Sequence, residues 1–171
     1  LDEAGLRRDT TSDSRLQNYA EQAMKKHMTE LQKLFDAHWN GQNPWRYEDG
    51  KEIPNFLKDR IKGTTRYKGL VAKYGKGSDS VNIVLNTPVP MKVFSWHGDI
   101  DTLMSPMDSL KYYKKFLRSG FMSMDPKNGH VKAWVGGIDF NHFKFDHVRQ
   151  GRRQPGSTFK PFVYTAAIDQ G

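Results

Sequence analysis

The chain has 171 residues, a formal net charge of +8 and no cysteine. The length suits one ordinary domain or two small ones, and the missing cysteines exclude disulfides, thiol nucleophiles and cysteine-ligated metals. No run of about eighteen apolar residues occurs, which excludes a membrane-spanning helix within these residues, and the positive charge points to anionic surroundings or simply to a soluble basic surface.

Residues 1–11, LDEAGLRRDTT, read as a polar, extended lead-in. The following SDSRLQNYAEQAMKKHMTELQKLFDAHW carries Leu16, Tyr19, Ala20, Ala23, Met24, His27, Met28, Leu31, Leu34 and Phe35 at the i, i+3, i+4, i+7 spacing of an amphipathic helix. Asp13 is the expected N-cap, with Ser14 and Gln17 as a second option, and NGQNPW ends the helix. Its methionine-containing stripe reads as packing surface rather than a ligand site. Residues 40–80 read as two short helices broken at Gly63 and ended near Gly75. In VNIVLNTPVPMKVFSW the β-branched residues predict extended strands, and Pro88 and Pro90 predict an edge or crossing segment. SPMDSLKYYKKFLRSG predicts a helix capped by Ser105, opened by Pro106, boxed by Asp108 and stopped at Gly120. FMSMDPKNGHVKAWVGG predicts two short strands around a turn at Asp125–Gly129. A long connection follows, and STFKPFVYTAAID resumes helix. Helices and a small antiparallel hairpin without βαβ alternation predict an α+β fold. Residues 1–118 form a mostly helical linker or insertion region, and residues 119–171 begin a sheet-and-helix domain. The chain opens on Leu1 and closes inside a helical pattern, so the expectation is a piece excised from a longer protein.

The stretch RRQPGSTFKPF sets Ser157 three residues before Lys160. On a helix the two side chains share a face one turn apart, and a serine at a helix start meets free N–H groups that favour developing negative charge. A lysine held in its neutral form can take the hydroxyl proton. The alternative is a plain helix cap, since Ser-x-x-Lys arises by chance roughly once in a chain this long. Other fragments are weaker. Ser80–Asn82 (SVN) and Lys62–Thr64 (KGT) stand in the wrong chain order or letter order for serine-enzyme motifs. YGKGSDS lacks phosphate-loop spacing and reads as a turn. His142, Asp146 and His147 could ligate a metal, or be solvated loop residues. The arginines between Arg149 and Arg153 could meet an anion, or form a solvated surface.

Three segments in order resemble class A (bifunctional) penicillin-binding proteins. RRQPGSTFKPFVYTAAID is similar to their active-site segment, and GFMSMDPKNGHVKAWVGG to the strand-turn-strand that opens their transpeptidase sheet. TTSDSRLQNYAEQAM resembles the segment leading into that domain, with Ser12 and Ser14 where the family usually has Ile and Pro. The segment from Asn86 to Leu117 looks like the long insertion of the Bacteroidetes branch.

The resemblance implies Ser157 as acyl-enzyme nucleophile and Lys160 as general base. The substrates would be the D-Ala-terminated stem peptides of peptidoglycan, with β-lactams acylating the same serine, and no cofactor is implied. It also implies a glycosyltransferase domain and a membrane anchor elsewhere in the parent, at the periplasmic face of the inner membrane. The family's later Ser-x-Asn and Lys-Thr-Gly motifs do not occur here, so these 171 residues alone are expected not to catalyse. The competing expectation is a non-catalytic basic module that docks an anionic polymer or a partner protein. Nucleic acid is not expected as a partner, because no aromatic-basic recognition motif accompanies the charge.

Overall fold

The structure, a computed structural model, describes residues 10–171. The lead-in expected over residues 1–11 therefore lies, up to residue 9, outside the described residues. The fold is α+β: six helices and two separate two-stranded antiparallel sheets among the described residues.

Helix α1 runs Ser14–Trp39. Asp13 caps it as expected, its carboxylate accepting from the Arg15 and Leu16 N–H groups, and Asn40 closes it in the left-handed conformation with φ 40°. Helices α2 (Phe56–Lys62) and α3 (Thr65–Tyr74) meet at Gly63 and end at Gly75, as their glycines predict.

The next element corrects the sequence expectation. Val81–Asn86, expected as strand, belongs to helix α4, Asp79–Asn86, capped by Ser78. The reason is burial. Val81 and Leu85, one turn apart, pack together on Ile61 with Tyr67, Leu70, Met107 and Leu110 around them. β-Branched residues lower helix propensity by only a few tenths of a kcal/mol, and tertiary packing outweighs that.

Strands β1 (Val89–Val93) and β2 (Ile100–Met104) pair antiparallel from Val89↔Met104 to Val93↔Ile100. Pro90 sits in β1, which has only one partner strand, so its missing N–H interrupts no second ladder. Strand β2 had no counterpart among the expected elements. Helix α5 (Pro106–Lys114) starts as its signals predict. The Ser105 hydroxyl accepts from Asp108 N–H at 3.1 Å and donates to the Asp108 carboxylate at 2.7 Å. Ser105 is buried, and Ser105→Ala is expected to cost ~1–2 kcal/mol in urea denaturation.

Helix α5 stops six residues before Gly120, the second correction. Gln32 of α1, itself buried, donates from Nε2 to the Lys115 carbonyl at 3.1 Å and accepts at Oε1 from Leu117 N–H at 2.8 Å. A side chain 83 residues away thus takes up backbone groups that a further helical turn would use. Gly120 serves a different purpose: a Cβ there would lie 2.8 Å from Val148 Cγ2.

Strands β3 (Phe121–Met124) and β4 (Val131–Val135) form the expected hairpin, with a register shift between Ser123 and Met124. Asp125 accepts from Lys127 N–H through its side chain and from Gly129 N–H through its carbonyl, and Gly129 has φ 72°. Helix α1 covers β4 through Ala20 and Met24 against Ala133 and Val135. The chain around the start of α1 also bonds the outer edge of β4. Thr11 Oγ1 donates to the Val131 carbonyl at 2.8 Å, Asp13 N–H to the Lys132 carbonyl at 2.9 Å, and the Gln17 amide brackets Trp134 at 3.0 and 2.8 Å.

An aromatic core joins β1, α5 and the connection after β4. Phe94 and Phe143 are buried there, with ring centroids 5.3 Å apart, and Phe116, Tyr113 and Trp96 pack around them. No described helix is long and apolar enough to cross a membrane.

Candidate active site

From Gly136 the chain runs back across β4 before it reaches Ser157. Asp146 governs this return. One carboxylate oxygen accepts from Val148 and Arg149 N–H at 2.9 Å each, an Asx-type turn. The other accepts from the Trp134 indole N–H at 2.9 Å, so the same side chain ties the connection to β4. A Cβ on Gly136 would lie 2.8 Å from the Asp146 carboxyl carbon, so only glycine leaves room for this contact. His147 N–H donates to the Gly136 carbonyl at 2.7 Å.

Within the cluster of His142, Asp146 and His147, the structure gives the first two side chains hydrogen-bond partners. His142 is bonded to Asp99 through Nε2 at 2.8 Å and to the Tyr113 hydroxyl through Nδ1 at 3.1 Å. Asp146 is committed to Trp134 and the backbone, and no metal-binding group of three or more such side chains occurs among the described residues. The other fragments have structural roles: Thr64 caps α3, Lys62 pairs with Asp59 at 2.8 Å, and Ser80–Asn82 lies within α4. Sequence reading missed the anchoring role of Asp146. Its local signal was present, an aspartate two and three residues before the N–H groups it accepts from.

The arrangement titrates. Bonds from Arg149 N–H above all, with those from Trp134 and Val148, hold the Asp146 carboxyl below the usual carboxylate range. Burial pushes the His147 imidazole below the ordinary histidine value, helped by the charges of Arg118 and Arg153 and opposed by Asp146. Both groups bind fewer protons folded than unfolded, so both lower stability as pH falls. Melting temperature is expected to decline below about pH 6.5 through His147, and again below about pH 4 through Asp146. His147→Gln should flatten the first decline in melting curves recorded between pH 8 and 5.

Ser157 lies in a 3-10 turn, Gly156–Phe159, and α6 runs Lys160–Asp169. The helix was expected to resume at Ser157, and the α-helical turns begin three residues later. Gly156 has φ 53°, the conformation glycine adopts freely. Lys160 N–H donates to the Ser157 carbonyl, which sets the two residues one tight turn apart. Both side chains are exposed, and they share no hydrogen bond among the described residues. All residues from 152 to 171 are exposed, including Phe162, Tyr164 and Ile168. A serine hydroxyl and a primary amine on consecutive turns can perform nucleophilic attack with amine-assisted proton removal once the amine is desolvated.

Residues 40–117 match the penicillin-binding protein middle domain, and residues 119–171 match the penicillin binding protein transpeptidase domain. A penicillin-binding protein 1A of Neisseria lactamica is 53% identical over 55 residues, 32% of this chain and 7% of that protein. Penicillin-binding protein 1A of Escherichia coli is 53% identical over 55 residues, 32% of this chain and 6% of that protein. The protein of the same name in Pseudomonas aeruginosa is 46% identical over 54 residues, 32% of this chain and 7% of its own length. No solved structure matches the chain. The matched stretch is thus a small part of each curated relative's length.

Proposed function

The chain belongs to the penicillin-binding proteins, and from that premise we propose that it carries the nucleophile of a peptidoglycan transpeptidase. Ser157 attacks the carbonyl of the penultimate D-Ala of a stem peptide, and Lys160 takes the hydroxyl proton. The C–N bond to the terminal D-Ala breaks, D-Ala leaves with a proton, and an ester forms on Ser157. An amine of a neighbouring strand then attacks the ester, forms the cross-link and frees the serine. β-Lactams acylate the same oxygen by ring opening. The protein works in cell-wall synthesis, at the periplasmic face of the inner membrane, alongside a glycosyltransferase domain. Residues 1–118 act as a linker and scaffold, and residues 119–171 begin the transpeptidase domain.

The observation that carries this reading is the Ser157–Lys160 spacing at the start of α6, inside the segment that matches the transpeptidase family. The exposure of both side chains supports a further expectation. Nothing among the described residues desolvates Lys160 or builds the far wall of a groove, so these 171 residues alone do not react. The test is a fluorescent penicillin with intact-mass detection, applied to this chain and to one extended through the Ser-x-Asn and Lys-Thr-Gly motifs. Labelling of the extended chain alone is expected. No labelling of either, with both folded, overturns the transpeptidase reading in favour of a docking module.

A further inference from the structure

A cleft of about 470 Å³ opens between the C-terminal half of α1, the loop that follows it, the β1–β2 loop and the end of α5. None of its lining residues belongs to the segment around Ser157. Its apolar wall is aromatic, formed by Phe35, Trp39, Trp96, Tyr112 and Phe116, with no leucine, isoleucine, valine or methionine. The rings brace one another, with centroid separations of 6.1 Å for Phe35–Trp39, 5.1 Å for Tyr112–Phe116 and 6.4 Å for Trp96–Phe116. The Tyr112 hydroxyl is fixed by donating to the Phe94 carbonyl at 2.7 Å.

Lys33, Asp36, Gln42 and Lys115 also line the cleft. Asp36 accepts from Gln32 through Oδ1, and Gln42 accepts from Arg46 through its carbonyl oxygen. The second Asp36 oxygen and the Gln42 amide N–H groups remain for a guest. The Trp96 indole N–H is buried without an acceptor among the described residues, and such an unmade bond is costly.

We propose that this cleft binds a peptide-free sugar strand of the wall polymer, an N-acylated glycan whose carboxylates are released when the stem peptides are removed. The inference rests on the wall-synthesis reading above. Pyranose rings offer flat C–H faces to an aromatic wall, and their hydroxyls both donate and accept, as Asp36 and Gln42 together require. A carboxylate on the sugar pairs with Lys33 or Lys115. The volume is that of an ordinary ligand site. A proline-rich peptide suits aromatic grooves, but its prolines have no N–H to offer Asp36.

The test titrates peptide-free glycan strands, prepared by amidase digestion of cell wall, into the 171-residue chain. Tryptophan fluorescence and indole N–H resonances report binding. Saturable binding with shifts at Trp39 and Trp96 is expected, weakened about tenfold or more by Trp39→Ala. Lys33→Glu, on the exposed surface of α1, keeps the test decisive if Trp39→Ala does not fold. It should weaken the carboxylate-bearing glycan and spare a chitin oligosaccharide. Absence of binding at millimolar glycan, binding unchanged in the variants, or preference for a proline-rich peptide overturns the proposal. Penicillin labelling of the extended chain is scored separately. Labelling without glycan binding refutes the cleft alone. Glycan binding without labelling upholds the cleft and refutes the nucleophile.

Discussion

Ser157→Ala is expected to abolish penicillin acylation of a chain carrying the whole transpeptidase region, with no change in melting temperature. The second half follows from the structure. The Ser157 side chain is exposed and accepts no capping bond from the turn it sits in, so its removal leaves nothing unsatisfied. The first half follows from the proposed mechanism, in which the ester forms on that oxygen. Lys160→Ala should leave the oxygen in place and slow acylation by about 10²–10⁴-fold, the range for loss of one acid–base group. The check is the adduct mass with peptide mapping. Thr158, the next residue, carries the only other hydroxyl in the turn Gly156–Phe159. An adduct mapped to Thr158, or one that survives in Ser157→Ala, overturns the assignment.

Phe143→Ala is expected to destabilise the fold by ~3–5 kcal/mol, the usual range for a buried phenylalanine truncated to alanine. Phe143 is 4% exposed and touches Phe94, Tyr113 and Phe116, while the Arg118 guanidinium stands 4.5 Å above its ring. The cavity would open where the 40–117 region meets the connection that leads to Ser157. Phe140 is the internal control. It lies three residues earlier in the same connection and is 75% exposed. Phe140→Ala should change stability by less than about 0.5 kcal/mol. Urea denaturation of both variants checks the contrast. Similar values for the two would mean that the connection does not pack on the aromatic core.

Much of the local architecture was legible in the residues. Asp13, Ser105 and the Asp125–Gly129 turn announce themselves because each signal is a side chain bonding a backbone group within four residues, and such bonds form whatever the rest of the chain does. The Ser157–Lys160 spacing was legible for a different reason: it is an interval in the sequence itself. Strand and helix were confused at Val81–Asn86 because a run rich in β-branched residues has no decisive period, and the buried turn-spaced pair Val81 and Leu85 finds its partner in Ile61. The anchoring role of Asp146 on β4 was not legible, because nothing beside it in the chain announces Trp134, twelve residues earlier, as its partner.

The sequence by itself determined the α+β class, the caps and turns that begin α1 and α5 and join β3 to β4, and the position of a serine one turn before a lysine. Only the tertiary structure decided where α5 ends, what state Val81–Asn86 adopts and how the connection from Gly136 returns to β4. Those outcomes depend on Gln32 reaching Lys115 and Leu117, on Ile61 meeting Leu85, and on Asp146 reaching Trp134. Pairs this distant in the chain form only after the entropy of ordering the intervening residues has been offset elsewhere in the fold. No window of neighbouring residues contains that balance.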